Sequence, residues 1–206
     1  NSKVSLGTRT VLVDAHRGSI ILDIANSEEL ANVAVCDDQN APNSPYTIGC
    51  GQIDHQGTTL STVRATSTPS GNADVDSAYD NSTSTLQFYS DYLGRDSVNG
   101  RGQPITSIIN FCAPTAWKSP CPYPNAYWDG EKVLFGQGFA VADDVVAHEI
   151  SHGLTQRMAG LFYYYQSGAI SESLSDIYGE FVDQTDGRDV VGDATSNLWQ
   201  LGEEDR

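Results

Sequence analysis

At 206 residues the chain is long enough to bury a core of its own as one large domain or two small ones. Its net charge of -16, from 27 acidic against 11 basic residues with no basic cluster, repels a phosphate backbone and excludes nucleic acid as a partner. No apolar run approaches the length of a membrane span, and "NSKVSLGTRT" has neither the apolar stretch nor the cleavage site of a signal peptide. The chain also lacks an initiator Met, as a processed product would.

Residues 8–25, "TRTVLVDAHRGSIILDIA", predict a hairpin in which Gly18 supplies the turn. Residues 36–75, rich in Ser, Thr, Asn, Gly and Pro, read as irregular β and loop. From Val75 to Tyr92 the pattern turns helical, with Tyr79, Leu86, Phe88, Tyr89 and Leu93 available for a buried face. "ITSIINF" (105–111) predicts a strand. "NAYWDGEKVLFGQG" (125–138) predicts a second hairpin turning at Asp129-Gly130. A helix comes next over about 143–159, with Asp143 as N-cap, Gly160 as its end, and an apolar stripe of Val146, Ile150, Leu154 and Met158. A second helix spans about 169–182. With β-rich sequence first and helices after, the fold class is α+β.

Four cysteines permit three pairings, and the simplest joins Cys36 to Cys50 and Cys112 to Cys121, each across a Pro-containing polar loop. Disulfides indicate secretion. Asn81-Ser82-Thr83 spells a glycosylation sequon, a triplet frequent by chance.

The chemistry concentrates in "VVAHEISHGL" (145–154). Residues four apart share a helix face, so His148 and His152 can aim two imidazole nitrogens at one metal ion. Glu149 then sits at the edge of the site, where a general base for a metal-activated water belongs. HExxH alone also arises in unrelated helices. A catalytic zinc needs a third protein ligand and an open position, and "GAISESLSD" offers Glu172, with Asp176 on the same face to orient a ligand histidine. A purely structural zinc would want four closed ligands and no Glu149, so an inactive zinc-binding interaction module is the weaker alternative.

"HEISHGLTQ" followed by "AGLFYYYQSGAISESLSDIYGEFVD" resembles the thermolysin-like family of secreted zinc endopeptidases, with the third ligand 20 residues after the second histidine. The resemblance extends through "ADVDSAYDNSTSTLQFYSDYLGRDS" and "PYPNAYWDGEKVLFGQGFAVADDVVAHE". With "PCPY" and "WQLGE" it is similar to the actinomycete branch. It implies His148, His152 and Glu172 as zinc ligands and Glu149 as the base. It also implies Asp176 as partner of a ligand histidine, Tyr163 as an oxyanion stabiliser, and Asn125 with the Ala126 backbone as the edge that holds an extended peptide. Cleavage beside a bulky apolar residue is implied by the same resemblance.

Three departures accompany it. Asp144, Asp183 and Glu203 fit the family's calcium site, but Leu198 and Gln200 stand where further carboxylates are expected, so one ion or none is implied. Residues 1–35 resemble the last strands of a propeptide through their "VDA…G" turn, leaving 36–206 as the N-terminal domain. The chain stops at "LGEEDR", so the helical C-terminal domain is expected to be absent and supplied by a companion domain or chain. Neither His16 nor His55 matches the histidine that domain contributes.

Overall fold

The computed structural model describes residues 8–13, 20–26, 32–41, 49–52, 60–161 and 163–185. Two compact units divide the chain between Leu30 and Ala31. The first contains β1 (Thr8–Val13) and β2 (Ile20–Asn26), paired antiparallel as the hairpin pattern predicts; the turn itself lies outside the described residues.

The second unit holds a five-stranded mixed sheet in the order β4-β3-β5-β7-β6. Its strands are β3 (Val33–Asp37), β4 (Thr62–Arg64), β5 (Ile105–Ile109), β6 (Ala126–Trp128) and β7 (Val133–Phe135). Parallel pairing runs from β3 to β5 to β7, while β4 and β6 close the two edges antiparallel. The α+β class holds. The segment from residue 36 is less irregular than its composition suggests, because β3 gains its regularity from β5 about seventy residues away. β3, which begins at Val33, belongs to the second unit.

The central strands are buried on both faces, as Val35, Ile105, Ile108, Leu134 and Phe135 attest. On one side Cys36, Leu60, Ile108, Phe111, Ala113 and Leu134 form a cluster, stapled by the Cys36–Cys50 disulfide with Tyr123 and Tyr127 packed against it. The second disulfide joins Cys112 to Cys121, so both short-range pairings stand.

α1 (Ala73–Leu93) starts where Asn72 caps the amides of Asp74 and Val75. Its buried face carries Val75, Ala78, Leu86, Phe88 and Tyr89, whereas Tyr79 and Leu93 are half-buried. Tyr79 instead lies beneath Arg64, whose guanidinium also pairs with Asp76 and Asp80. Two polar contacts tie this helix to the next one along the chain. Asn81 Nδ2 donates to the carbonyls of Ala140 and Val141 at 3.0 and 3.1 Å, fixing the loop that launches the second helix. Tyr89 Oη and Ser151 Oγ are hydrogen-bonded at 2.7 Å inside the core. Asn81 is only 3% exposed, so the sequon nitrogen is already committed and inaccessible to a glycosylating enzyme in the folded chain.

α2 (Asp143–Ala159) and α3 (Tyr165–Asp183) form a tight helical pair. The N-cap of α2 is Ala142, one residue before the expected Asp143, because the tethered loop delivers the chain into the helix there; Asp143 and Asp144 occupy the first turn, where the helix dipole favours them. Gly160 ends the helix in the left-handed region at φ 56°. Val146, Ile150 and Leu154 are buried, but Met158 is 59% exposed, since the last turn runs beyond the core. α3 begins four residues earlier than expected, taking in Tyr165 of the aromatic run.

Asp38, at the end of β3, is 2% exposed and accepts a hydrogen bond from the Cys112 amide at 3.0 Å. Burial raises its carboxyl from 3.8 to about 7, against the lowering effect of that amide and with a further push from Asp37. Between these values the folded chain binds more protons than the unfolded one, so this group's contribution to stability falls as pH rises from about 4 to about 7. Asp38→Asn, which keeps an acceptor for the amide, is expected to gain melting temperature relative to the native chain across that window. Thermal unfolding of both proteins at pH 5 and pH 8 checks this; a difference that is constant, or that shrinks with pH, contradicts it.

Candidate active site

α2, α3 and the edge strand β6 surround a cleft of about 920 Å³. Among the described residues the sole cluster of three metal-ligating side chains lies here: His148, His152 and Glu172. One helical turn stacks the two imidazoles with ring centroids 4.8 Å apart, and α3 brings Glu172 across from them. His148 Nε2 is 3.1 Å from His152 Nε2 and 3.3 Å from Glu172 Oε2; His152 Nε2 is 3.6 Å from Glu172 Oε1.

These separations test whether a zinc ion fits. Ligand atoms on a tetrahedral ion with bonds of about 2.0–2.1 Å stand roughly 3.3–3.4 Å apart. The observed spacings of 3.1, 3.3 and 3.6 Å bracket that value. Two nitrogens and a carboxylate are also the donor types zinc accepts, and the side facing the cleft is free of a fourth protein ligand among the described residues. The residues present fit the ion.

Around this trio the neighbours differ from one histidine to the other. Behind His148, Asp176 Oδ1 lies 2.9 Å from Nδ1, though not aligned for a hydrogen bond. Behind His152 the Nδ1 atom meets two hydroxyls, Ser171 Oγ at 3.2 Å and Ser175 Oγ at 3.3 Å. Burial, and then the neighbouring His148, hold the His152 imidazole below its ordinary 6.5, favouring the neutral form that a metal requires. Tyr163, 70% exposed, donates its hydroxyl to Glu172 Oε1. That hydrogen bond, with lesser help from burial, pushes the phenol up to about 12, so it stays protonated.

Glu149 is buried beside His148 and accepts a hydrogen bond from the Trp128 amide at 2.9 Å. Burial raises its carboxyl to about 7, opposed by that amide and aided by Glu172. A carboxyl near neutrality can both take and return a proton. The Trp128 indole lies over Gly153, where a Cβ would come within 2.8 Å of the ring, and its Nε1 donates to Gln156 Oε1 at 2.9 Å. Gly153 is thus required by close approach, and β6 is clamped to α2 beside the histidines. Asn125 and Ala126 line the same cleft from the edge of the sheet. The Asp129 side chain organises the turn beyond, accepting from the Glu131 and Lys132 amides and pairing with Lys132 Nζ.

Sequence reasoning named eight of these positions: Asn125, Ala126, His148, Glu149, His152, Tyr163, Glu172 and Asp176. All line this one cleft. It missed Trp128, Gly153, Gln156, Ser171, Ser175 and Thr155; the glycine directly after HExxH was the readable signal for the first three. Asp144 and Asp183, expected for calcium, are buried at the start of α2 and the end of α3, while Glu203 lies outside the described residues.

A zinc-compatible trio next to a buried carboxyl, on a helix beside a sheet edge, is a metallopeptidase-like arrangement. Comparison with known families agrees. The profile "Thermolysin metallopeptidase, catalytic domain" matches residues 4–156, and "Thermolysin metallopeptidase, alpha-helical domain" matches residues 159–205. The chain belongs to the thermolysin metallopeptidase family. The zinc metalloproteinase of Renibacterium salmoninarum is 32% identical over 95% of this chain and 37% of its own length. The extracellular metalloprotease of Pectobacterium carotovorum subsp. carotovorum is 37% identical over 69% of this chain and 40% of its own length. The precursor of protealysin, a metalloproteinase from Serratia proteamaculans, superposes with a TM-score of 0.61 at 31% identity, covering 76% of this chain and 44% of that one. The chain thus spans well under half the length of these relatives.

One expectation is corrected. The helical domain is not wholly absent from this chain, since residues 159–205 match it. α3 is its beginning, so Glu172 and Asp176 come from that side and the histidines from the other. Reading α2 and α3 as one zinc-binding pair had hidden the boundary between them. No helix among the described residues is long and apolar enough to cross a membrane.

Proposed function

We propose that this chain carries the zinc site of an extracellular endopeptidase that hydrolyses peptide bonds in proteins. The observation that carries the reading is the convergence of His148, His152 and Glu172 beside buried Glu149 in an open cleft bordered by β6. Bound zinc would be held by His148 Nε2, His152 Nε2 and the Glu172 carboxylate, supplying Lewis-acid polarisation of a carbonyl and a water of lowered pKa. Glu149 takes the proton from the attacking water and returns it to the leaving amine. The outer edge of β6, with Asn125 and the Ala126 backbone, aligns an extended peptide by main-chain hydrogen bonds. Tyr163 keeps its proton and donates to the oxyanion as it develops. Asp176 orients His148.

Phe139, Val145 and Leu161 line the cleft and suit a bulky apolar residue after the cut. Extracellular location is supported by the two disulfides and by relatives named as extracellular. The rest of the cleft wall comes from the remainder of a helical domain, as a companion segment or chain. The first compact unit, Asn1–Leu30, which holds the β1–β2 hairpin, is read as a pro-region remnant. Calcium, if held, would use Asp144 and Asp183 with Glu203.

The reading is tested with an internally quenched peptide carrying a bulky apolar residue after the scissile bond, using the chain together with its companion segment. Cleavage is expected to cease on removal of metal with a chelator and to return with one equivalent of zinc. Cleavage that persists without metal would overturn it.

A further inference from the structure

Three hydroxyls lie behind His152, and the hydrogen-bond directions among them can be traced from one fixed end. Thr155 Oγ1 donates to the His152 carbonyl at 3.1 Å, and a carbonyl can only accept. The one proton of Thr155 is therefore committed, so across the 3.2 Å contact between Thr155 Oγ1 and Ser171 Oγ the serine must donate. Ser171 has then used its own proton. In its 3.2 Å contact with His152 Nδ1 it can only accept, which places the proton on Nδ1. Ser175 Oγ also lies 3.3 Å from Nδ1, where in this tautomer it accepts from the same N–H. Ser171, Ser175 and Thr155 are all buried side chains.

We infer that Thr155 and Ser171 are positioning residues that fix the tautomer of His152, holding the proton on Nδ1 so that Nε2 presents its lone pair to the cleft. The relay starts and ends on the same residue, since the His152 carbonyl anchors the chain of hydroxyls that reads its own ring. The device is neutral, unlike the carboxylate behind His148. One histidine is steered by charge and the other by the direction of hydroxyl hydrogen bonds alone. The inference rests on the zinc-site reading for its purpose, but the tautomer itself is a property of the metal-free chain.

The test is the imidazole 15N spectrum of the 15N-labelled full chain, freed of metal and held at a pH where the ring is neutral. With four histidines in the sequence, long-range 1H–15N correlations separate and assign each ring. His152 is expected as the Nδ1–H tautomer. In Thr155→Val, which keeps the shape and removes the acceptor, Ser171 is released to donate to Nδ1. The Nε2–H form should then rise and zinc affinity, read by competition with a chromogenic chelator, fall about tenfold. Thr155→Ser restores the hydroxyl and should restore both readouts, which a loss of packing alone would not. An Nε2–H tautomer in the native chain, or an unchanged tautomer and affinity in Thr155→Val, would overturn the relay. A native chain showing the Nδ1–H tautomer but no zinc binding would support the relay and sink the peptidase reading instead.

Discussion

Glu149→Gln is expected to lower kcat for peptide hydrolysis by roughly 10²–10⁴-fold while leaving bound zinc in place. The substitution is nearly isosteric. The amide oxygen of glutamine can still accept from the Trp128 amide, which lies 2.9 Å from the carboxylate, so β6 and its clamp onto α2 are retained. The three ligand atoms belong to other residues and are untouched. What is lost is the capacity to take a proton, and that costs about 3–5 kcal/mol of transition-state stabilisation, at about 1.36 kcal/mol per tenfold in rate. Steady-state kinetics with zinc content measured in parallel decide the matter. A variant that keeps its zinc and most of its kcat would remove Glu149 from the mechanism. One that loses its zinc would show instead that the carboxylate holds the site together.

Glu172→Ala is expected to have its largest effect on metal binding. It removes one of three ligand atoms, and leaves two imidazole nitrogens 3.1 Å apart with nothing opposite them. If a four-ligand site is worth about 10–16 kcal/mol, one ligand represents about 3 kcal/mol, or on the order of a hundred- to thousand-fold in zinc affinity. The metal-free fold should scarcely notice. The Glu172 side chain is 39% exposed at the cleft surface, and alanine is the better helix former in α3. A chelator competition series together with metal-free thermal unfolding separates the two effects. Wild-type affinity in this variant would dismiss Glu172 as a ligand.

How far the sequence led depended on whether a signal was local. His148 and His152 one turn apart, Glu172 and Asp176 one turn apart, and Asp129-Gly130 between alternating strands are all spacings within a single element, and each was legible. β3 was not, because Val33–Asp37 becomes a strand through pairing with Ile105–Ile109, and no short window records that partner. The N-cap at Ala142 rather than Asp143 reflects Asn81 gripping the carbonyls of Ala140 and Val141 from another helix. Met158 continued the apolar stripe of α2 in sequence, but its side chain is exposed in the last turn of the helix.

The site shows the same division. The Trp128 hydrogen bond to Glu149 uses a backbone amide, which every residue type but proline carries, so no side-chain pattern announces it. Ser171, Ser175 and Thr155 read as ordinary helix hydroxyls until α2 and α3 pack and bring them behind one imidazole. Their directionality then depends on counting protons on named atoms, which requires the fold. The chemistry of ligands was thus visible early, and the chemistry that orients them was not.

Native mass spectrometry of the wild-type chain and Glu172→Ala, each supplied with one equivalent of zinc, tests the central claim most directly. One zinc retained per wild-type chain and none on Glu172→Ala is the predicted result. No zinc on the wild type, or equal retention by both, would contradict a metal site built from His148, His152 and Glu172.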